Sequence, residues 1–291
     1  MYKIVRRKPL KPTVTQIDVE APLVAAKAKA GQFIILRVDE EGERIPLTVA
    51  GTNPDEGTVT IIFQVVGATT EALNHKMEGE YLEDFVGPLG NPTETEGIKK
   101  VCIVGGGVGC AIALPVAKEF HRIGAEVTSI IGFRSEDLVI LEDEFDACSD
   151  RLVVMTDDGS YKREGNVTIP LREMLEAGEK FDMIVTIGPI IMMKFVTLTA
   201  KDFNAPVTVS MSPIMVDGTG MCGCCRLTLH TEEGSVMKFA CVDGPDFNGY
   251  EVDFDEAIAR GRTYFDFERE AHDHVCNMFK AADELKAGAN A

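Results

Sequence analysis

The sequence predicts a β-plus-α/β protein: a small antiparallel β-barrel, a parallel α/β domain, then a short metal-bearing domain with a helical tail. Three observations carry this reading. Residues 1–98 are strand-rich and punctuated by Gly, Pro and Asp, whereas residues 99–205 alternate apolar strands with helices. Four of the eight cysteines then fall between Cys222 and Cys241, inside a segment, 206–249, that lacks regular periodicity; residues 250–291 form the C-terminal helical extension.

In the first region Thr13–Glu20, Phe33–Val38 and Thr58–Val66 alternate with the period of half-buried strands, and Thr70–Met77 is the one helical stretch. Short strands separated by turns at even spacing suggest a small barrel. The pattern changes near Lys99-Lys100. Val101–Val104 is a continuous apolar strand, followed by the glycine turn Gly105–Gly109 and a helical run Ala111–His121. Strand 127–131, helix 143–148, strand 152–155, helix 171–177 and strand 183–187 follow, the alternation of a parallel sheet. From Phe254 to about Lys286 the chain is charged and helical in texture.

Composition excludes several classes of partner. Lys and Arg number 29 against 47 Asp and Glu, a formal charge of −18. Such a balance opposes binding to a nucleic-acid backbone or an anionic membrane. No apolar run approaches the ~20 residues of a membrane-spanning helix. The basic N-terminus leads into Pro9 and Pro12 rather than into a secretory apolar core, so a soluble, cytoplasmic chain is expected. In that setting clustered cysteines point to metal or redox chemistry rather than to disulfides.

Gly105-Gly106-Gly107-Val108-Gly109 follows a strand and opens a helix, as a phosphate-cradling turn requires. Glycines let backbone approach a pyrophosphate, and the helix N-terminus offers its unpaired N–H groups. Cys110 stands where the dinucleotide fingerprint has its last glycine, and the second strand runs into Gly132-Phe133-Arg134-Ser135 without a ribose-binding acid. Gly188-Pro189 closes the last α/β strand, at the sheet end where open parallel sheets bind ligands.

The richest segment runs from Asp217 to Arg226, with Cys241 returned to it by a hairpin pairing Arg226–His230 with Val236–Ala240. Cys222 and Cys225 have the C-x-x-C spacing with which two thiolates grip a metal from one turn. For a fourth ligand there are two candidates, Cys224 and Asp217. Neighbouring side chains in extended backbone point apart, which separates Cys224 from Cys225. Structural zinc sites use two such paired grips, and the second pair is missing. Asp217-x4-Cys222-x2-Cys225-x15-Cys241 instead has the C-x4-C-x2-C plus distant Cys shape of plant-type 2Fe–2S centres, with Asp in first place. The pattern favours 2Fe–2S over zinc, and both over metal-free thiols. His272 and His274, two apart, do not share a helix face and read as surface residues.

With these motifs in order, the chain resembles the small subunit of the NADH-dependent reduced ferredoxin:NADP oxidoreductases (the NfnAB type). It is more distantly similar to the electron-transfer subunit of dihydroorotate dehydrogenase B, within the ferredoxin–NADP reductase superfamily. The carrying segments are Glu43–Thr48, Val66–Thr70, Asp84–Gly90, Gly105–Gly109, Thr156–Gly159, Gly188-Pro189 with Met192-Met193, and Ala240–Pro245. The resemblance implies FAD on the barrel, with Arg44, Pro46, Leu47 and Thr48 on the flavin strand and Gly67, Thr69 and Thr70 in the loop holding its pyrophosphate. It implies NAD(H) at Gly105, Gly106, Gly107, Gly109, Gly188 and Pro189, and a 2Fe–2S cluster on Asp217, Cys222, Cys225 and Cys241. Arg44 stands four residues before Thr48, where the wider superfamily has three. The dihydroorotate-type subunits carry Cys in the first ligand position, so Asp217 points to the Nfn side. Hydride transfer would be carried by FAD, without a protein acid or base. The implied partner is a larger subunit with its own flavin and iron–sulfur clusters, joined as a heterodimer that bifurcates electrons between NAD, NADP and ferredoxin. Two alternatives stand beside this: the electron-transfer subunit of an NAD-linked dihydroorotate dehydrogenase, and a zinc-bearing interaction module without redox turnover.

Overall fold

The structure, a computed structural model, describes residues 1–289, with side chains through Cys276 and at Phe279. The first part is built from β1 (Tyr2–Lys11), β2 (Val14–Glu20), helix α1 (Pro22–Ala25), β3 (Phe33–Arg37), β4 (Arg44–Thr48), β5 (Gly51–Asn53), β6 (Thr58–Gln64), α2 (Ala68–His75), β7 (Tyr81–Leu82) and β8 (Asp84–Leu89). All pairings are antiparallel, in a five-stranded sheet ordered β5-β6-β2-β1-β7 and a three-stranded sheet ordered β4-β3-β8. The sheets close over a core of Ile4, Ile17, Val19, Ile34, Leu36, Ile61, Phe63 and Phe85, capped by Leu73 of α2. β1 is absent from the expected strands for a physical reason. Its only fully buried side chain is Ile4, and the charged and Pro-containing remainder masks any alternation.

The second part is a seven-stranded sheet. β9 (Lys100–Gly106), α3 (Gly109–Arg122), β10 (Glu126–Phe133), α4 (Glu142–Asp146), β11 (Arg151–Thr156), β12 (Arg163–Glu164), α5 (Thr168–Glu176), β13 (Met183–Ile187), α6 (Ile190–Lys201) and β14 (Val207–Ser210) follow one another. The last stretch of chain adds the hairpin β15 (Arg226–Thr231) and β16 (Gly234–Phe239), then β17 (Asp246–Asn248), α7 (Phe254–Gly261) and α8 (Phe265–Ala289). The sheet order is β12-β11-β10-β9-β13-β14-β17, parallel except for β17. β9 is buried on both faces, which is why it reads as an unbroken apolar run. Val101 and Ile103 meet Leu114 and Phe120 of α3 on one side, while Cys102 and Val104 meet the layer of Leu171 and Met174 from α5 and Val196 from α6 on the other. Cys102 is a core hydrophobe whose thiol is pushed far up by burial.

The sheet does not stop at residue 205. β14 and β17 extend its edge, so Val209 and Phe247, paired in register, belong to it. A third core joins them to Phe33 and Ile35 of the barrel, and to Cys225, Leu227, Leu229 and Cys241. On β3 alternation divides the labour, with Ile34 and Leu36 entering the barrel core while Phe33 and Ile35 enter this junction. Among the described residues no helix is long and apolar enough to cross a membrane.

Candidate functional site

The chain runs outward from β9 through β10, β11 and β12, then returns to place β13 on the other side of β9. The gap above the β9 and β13 carboxyl ends is therefore the switch point of the sheet, where open α/β folds take ligands. A cleft of about 1040 Å³ opens there, and its opposite wall is the barrel. Gly106, Gly107, Gly109, Gly188 and Pro189 line one side and Pro46, Thr48 and Phe33 the other.

Two turns close the sheet side by backbone contact. A Cβ at Gly109 would lie 2.6 Å from both Gly188 Cα and the Ile187 carbonyl oxygen, so only glycine lets the turns meet. Gly107, at φ +56°, has open cleft where its side chain would be, the space a ligand needs to reach its backbone. Gly105 is not in the cleft wall. It is buried beneath, where a Cβ would press on Cys110 Sγ and Cα at 3.0 and 3.2 Å. Sequence position alone does not separate it from its neighbours.

The barrel side follows strand parity. β4 pairs regularly with β3, matching Thr48 to Phe33, Pro46 to Ile35 and Arg44 to Arg37, so Arg44, Pro46 and Thr48 share one face. The four-residue spacing thus keeps Arg44 on the same face of the strand as Thr48. Leu47 points the other way, into the barrel core with Ile45. Arg44 Nη1 lies 3.4 Å from an Asp84 carboxylate oxygen that also accepts from Arg37 Nε at 3.0 Å, while Arg44 Nε is buried without a partner. A buried, unpartnered guanidinium donor fits an anionic group at that edge. Gly67 caps α2, and the Thr70 hydroxyl accepts from the backbone N–H groups of Val66 and Gly67 at 3.0 Å and donates to the Gly67 carbonyl at 2.9 Å. Thr70 therefore shapes the loop from within, and the N–H groups of the first helical turn, with Thr69, remain to meet a ligand.

The cysteine loop sits against the barrel. A Cβ on Gly218, whose φ is +76°, would collide with Leu89 Cδ1 at 2.6 Å and Ile35 Cγ1 at 3.1 Å. The hairpin forms, but one residue off the expected pairing, with Arg226 opposite Phe239, Leu229 opposite Val236 and Thr231 opposite Gly234 across a tighter turn, and the Ala240 N–H donates to the Cys225 carbonyl at 3.1 Å. Cys225 and Cys241 are thereby buried in the same core, while Cys222 is exposed. Both carboxylate oxygens of Asp217 accept loop N–H groups, from Thr219 at 2.8 Å and Cys222 at 2.9 Å. The Thr219 bond leads in holding this carboxyl below its ordinary range. Cys222 is lowered chiefly by the Cys224 N–H, and Cys224 is raised chiefly by its hydrogen bond to the Cys222 thiol. Burial, then the Cys225 thiol, pushes Cys241 up to about 12. A metal binding there must displace that proton.

Two contacts link the donors, the Cys222 N–H donating to an Asp217 oxygen and Cys225 packed with Cys241 in one buried core. No three of them come within 4.8 Å of one another. A mononuclear tetrahedral zinc site with Zn–S near 2.3 Å would need ligand edges of about 3.8 Å. Donors so spread suit a centre with two metal ions. Sequence reasoning missed Arg134 and Asp157 in the cleft wall, and it missed Asp246. Asp246 is half-buried, accepts from the Thr93 hydroxyl at 2.6 Å, and has its other oxygen shielded from solvent and unpartnered; burial raises its pKa. Nothing local in the sequence marks it, because Thr93 lies 153 residues away.

An antiparallel barrel facing the switch point of a parallel sheet, with a cysteine loop wedged between them, defines a reductase-type electron-transfer protein with an iron–sulfur domain. Residues 212–253 match the iron–sulfur cluster binding domain of dihydroorotate dehydrogenase B. The dihydroorotate dehydrogenase B (NAD(+)) electron transfer subunit homolog of Thermotoga maritima is 46% identical over 269 residues, covering 92% of this chain and 93% of its own. The electron transfer subunit of the Streptococcus pneumoniae R6 enzyme is 32% identical over 250 residues, covering 84% and 94%. A chain in the solved structure of the NADH-dependent reduced ferredoxin–NADP oxidoreductase, a system of flavin-based electron bifurcation, is 43% identical. It covers 96% of this chain and 98% of its own with a TM-score of 0.86. The chain belongs to the family of dihydroorotate dehydrogenase B electron-transfer subunits and their homologues, and it is a redox enzyme subunit.

Proposed function

We propose that the chain is the small subunit of a cytoplasmic, bifurcating ferredoxin:NADP oxidoreductase, exchanging electrons with NAD(H) through FAD and passing them through a 2Fe–2S cluster to a larger flavin/iron–sulfur partner. The observation that carries this is one cleft shared by Thr48 and Pro46 of the barrel and the glycine turns of the sheet, with the cysteine loop packed on the adjacent strand β3. When bound, FAD supplies hydride exchange with nicotinamide, and the cluster supplies single-electron transfer. The protein's share is placement. Residues 1–98 hold the flavin, with Pro46 and Thr48 facing its ring, Arg44 and the α2 N-terminus at Gly67 and Thr69 meeting its phosphates, and Leu47 and Thr70 bracing that surface from behind. Residues 99–205 hold the nicotinamide nucleotide, with Gly106, Gly107, Gly109, Gly188 and Pro189 at its backbone-lined wall and Gly105 packed beneath. Residues 206–249 would hold the cluster, through Asp217, Cys222, Cys225 and Cys241. Residues 250–291 serve docking within the heterodimer, through which ferredoxin is reached.

The second reading, a dihydroorotate dehydrogenase partner, rests on the homologues' names. Asp217 in the first ligand position favours the first. Anaerobically purified protein should show flavin absorbance, two irons per chain and a dithionite-induced EPR signal, with Asp217→Ala weakening or abolishing that signal. A colourless zinc protein would overturn the proposal, and orotate formation coupled to NAD by the purified complex would establish the second reading.

A further inference from the structure

Helix α8 returns to the barrel and packs on α2, whose contacts lie outside the core that holds Cys225 and Cys241. At this contact the donors Glu71, His272 and Cys276 bring one ligand atom each within 4.8 Å of one another, the one such grouping among the described residues. His272 and Cys276 are four apart on α8 and so share a face, with Cys276 Sγ 3.4 Å from His272 Nε2. His272 Nε2 lies 3.9 Å from Glu71 Oε2. A tetrahedral zinc ion, with Zn–N near 2.0 Å and Zn–S near 2.3 Å, sets N···S and N···O edges of about 3.3–3.5 Å. The N···S spacing already matches, and the Glu71 oxygen must move in by about half an ångström.

The surroundings hold the donors in the poses a metal requires. The remaining Glu71 oxygen is 3.5 Å from His75 Nδ1, and the His75 ring is stacked on Phe279 at 3.7 Å with 2° between planes. On the far side of His272, Nδ1 lies 4.0 Å from an Asp273 carboxylate, so Nε2 is the nitrogen offered inward. One thiolate, one imidazole and one carboxylate form a borderline-soft set that suits zinc rather than calcium or magnesium.

We propose that Glu71, His272 and Cys276 bind a zinc(II) ion, with water completing the tetrahedron, as a clip that fastens the C-terminal helix to α2. The site is separate from the iron–sulfur loop and does not depend on the redox reading. The test uses the full chain carrying its flavin and iron, equilibrated with micromolar zinc chloride and desalted over a chelating resin. Mass spectrometric metal analysis should give one zinc per chain in the wild type, with affinity at least about tenfold weaker in His272→Gln and in Cys276→Ser. Zinc-edge X-ray absorption should show one sulfur among nitrogen and oxygen neighbours. Iron and flavin contents unchanged across the set separate this result from any failure of the electron-transfer proposal. Circular dichroism melts check that each variant is folded, and Cys148→Ser, remote from the site, serves as control. Wild type that retains no zinc, variants that retain it fully, or a shell of several sulfurs would overturn the proposal.

Discussion

The glycine turns above the sheet and the cysteine loop beside the barrel are both binding devices, yet they are made differently. The first is built from backbone, closed by contacts such as Gly109 against Gly188, and stands complete without a ligand. The second is built from side chains, a carboxylate and three thiols, two of the thiols buried and one exposed. A backbone site depends on the fold, whereas a side-chain metal site depends on the atoms that fill it.

Four substitutions test that contrast, in falling order of effect. Cys241→Ser should abolish the cluster, taking iron to background while flavin is retained, as metal analysis and absorbance would show; loss of both together would mean that the cluster is part of the barrel's support. Gly109→Ala should destabilise the whole chain by about 2–4 kcal/mol in urea unfolding, because the new methyl meets backbone on the neighbouring turn. An unchanged midpoint would show the two turns to be loosely packed. Asp246→Asn probes the seam between the two regions. Burial raises the Asp246 pKa, so the folded state keeps its proton where the unfolded chain releases it, and stability falls as pH rises above the ordinary carboxylate range. The Asn variant should lose that slope and be more stable than wild type above neutrality by about 1 kcal/mol, measured as urea midpoints from pH 5 to 8. Cys224→Ala should leave iron content and EPR signal as they are; a lost signal would move the first ligand from Asp217 to Cys224.

Much of this was legible in the residues. The buried strand Val101–Val104, the glycine turn after it and the hairpin that returns Cys241 all announce themselves by local pattern. Features set by distant partners do not. β17 contributes only Phe247 to the core and so has no periodicity to read, although it completes the sheet. Leu47 and Thr70 sit inside the expected flavin motifs, but strand parity turns one into the barrel core and helix capping occupies the other. The helix face shared by His272 and Cys276 is visible in the sequence, while the opposing Glu71 lies two hundred residues earlier and is found only by folding.

The antiparallel strand β17 has a consequence for anyone dissecting the molecule. Because Asp246–Asn248 close the edge of a sheet begun at residue 100, the iron–sulfur segment cannot be cut away as a cassette. A fragment ending at residue 205 would leave β13 as a naked, apolar border inviting self-association, so grafts and truncations should keep the chain whole through α7.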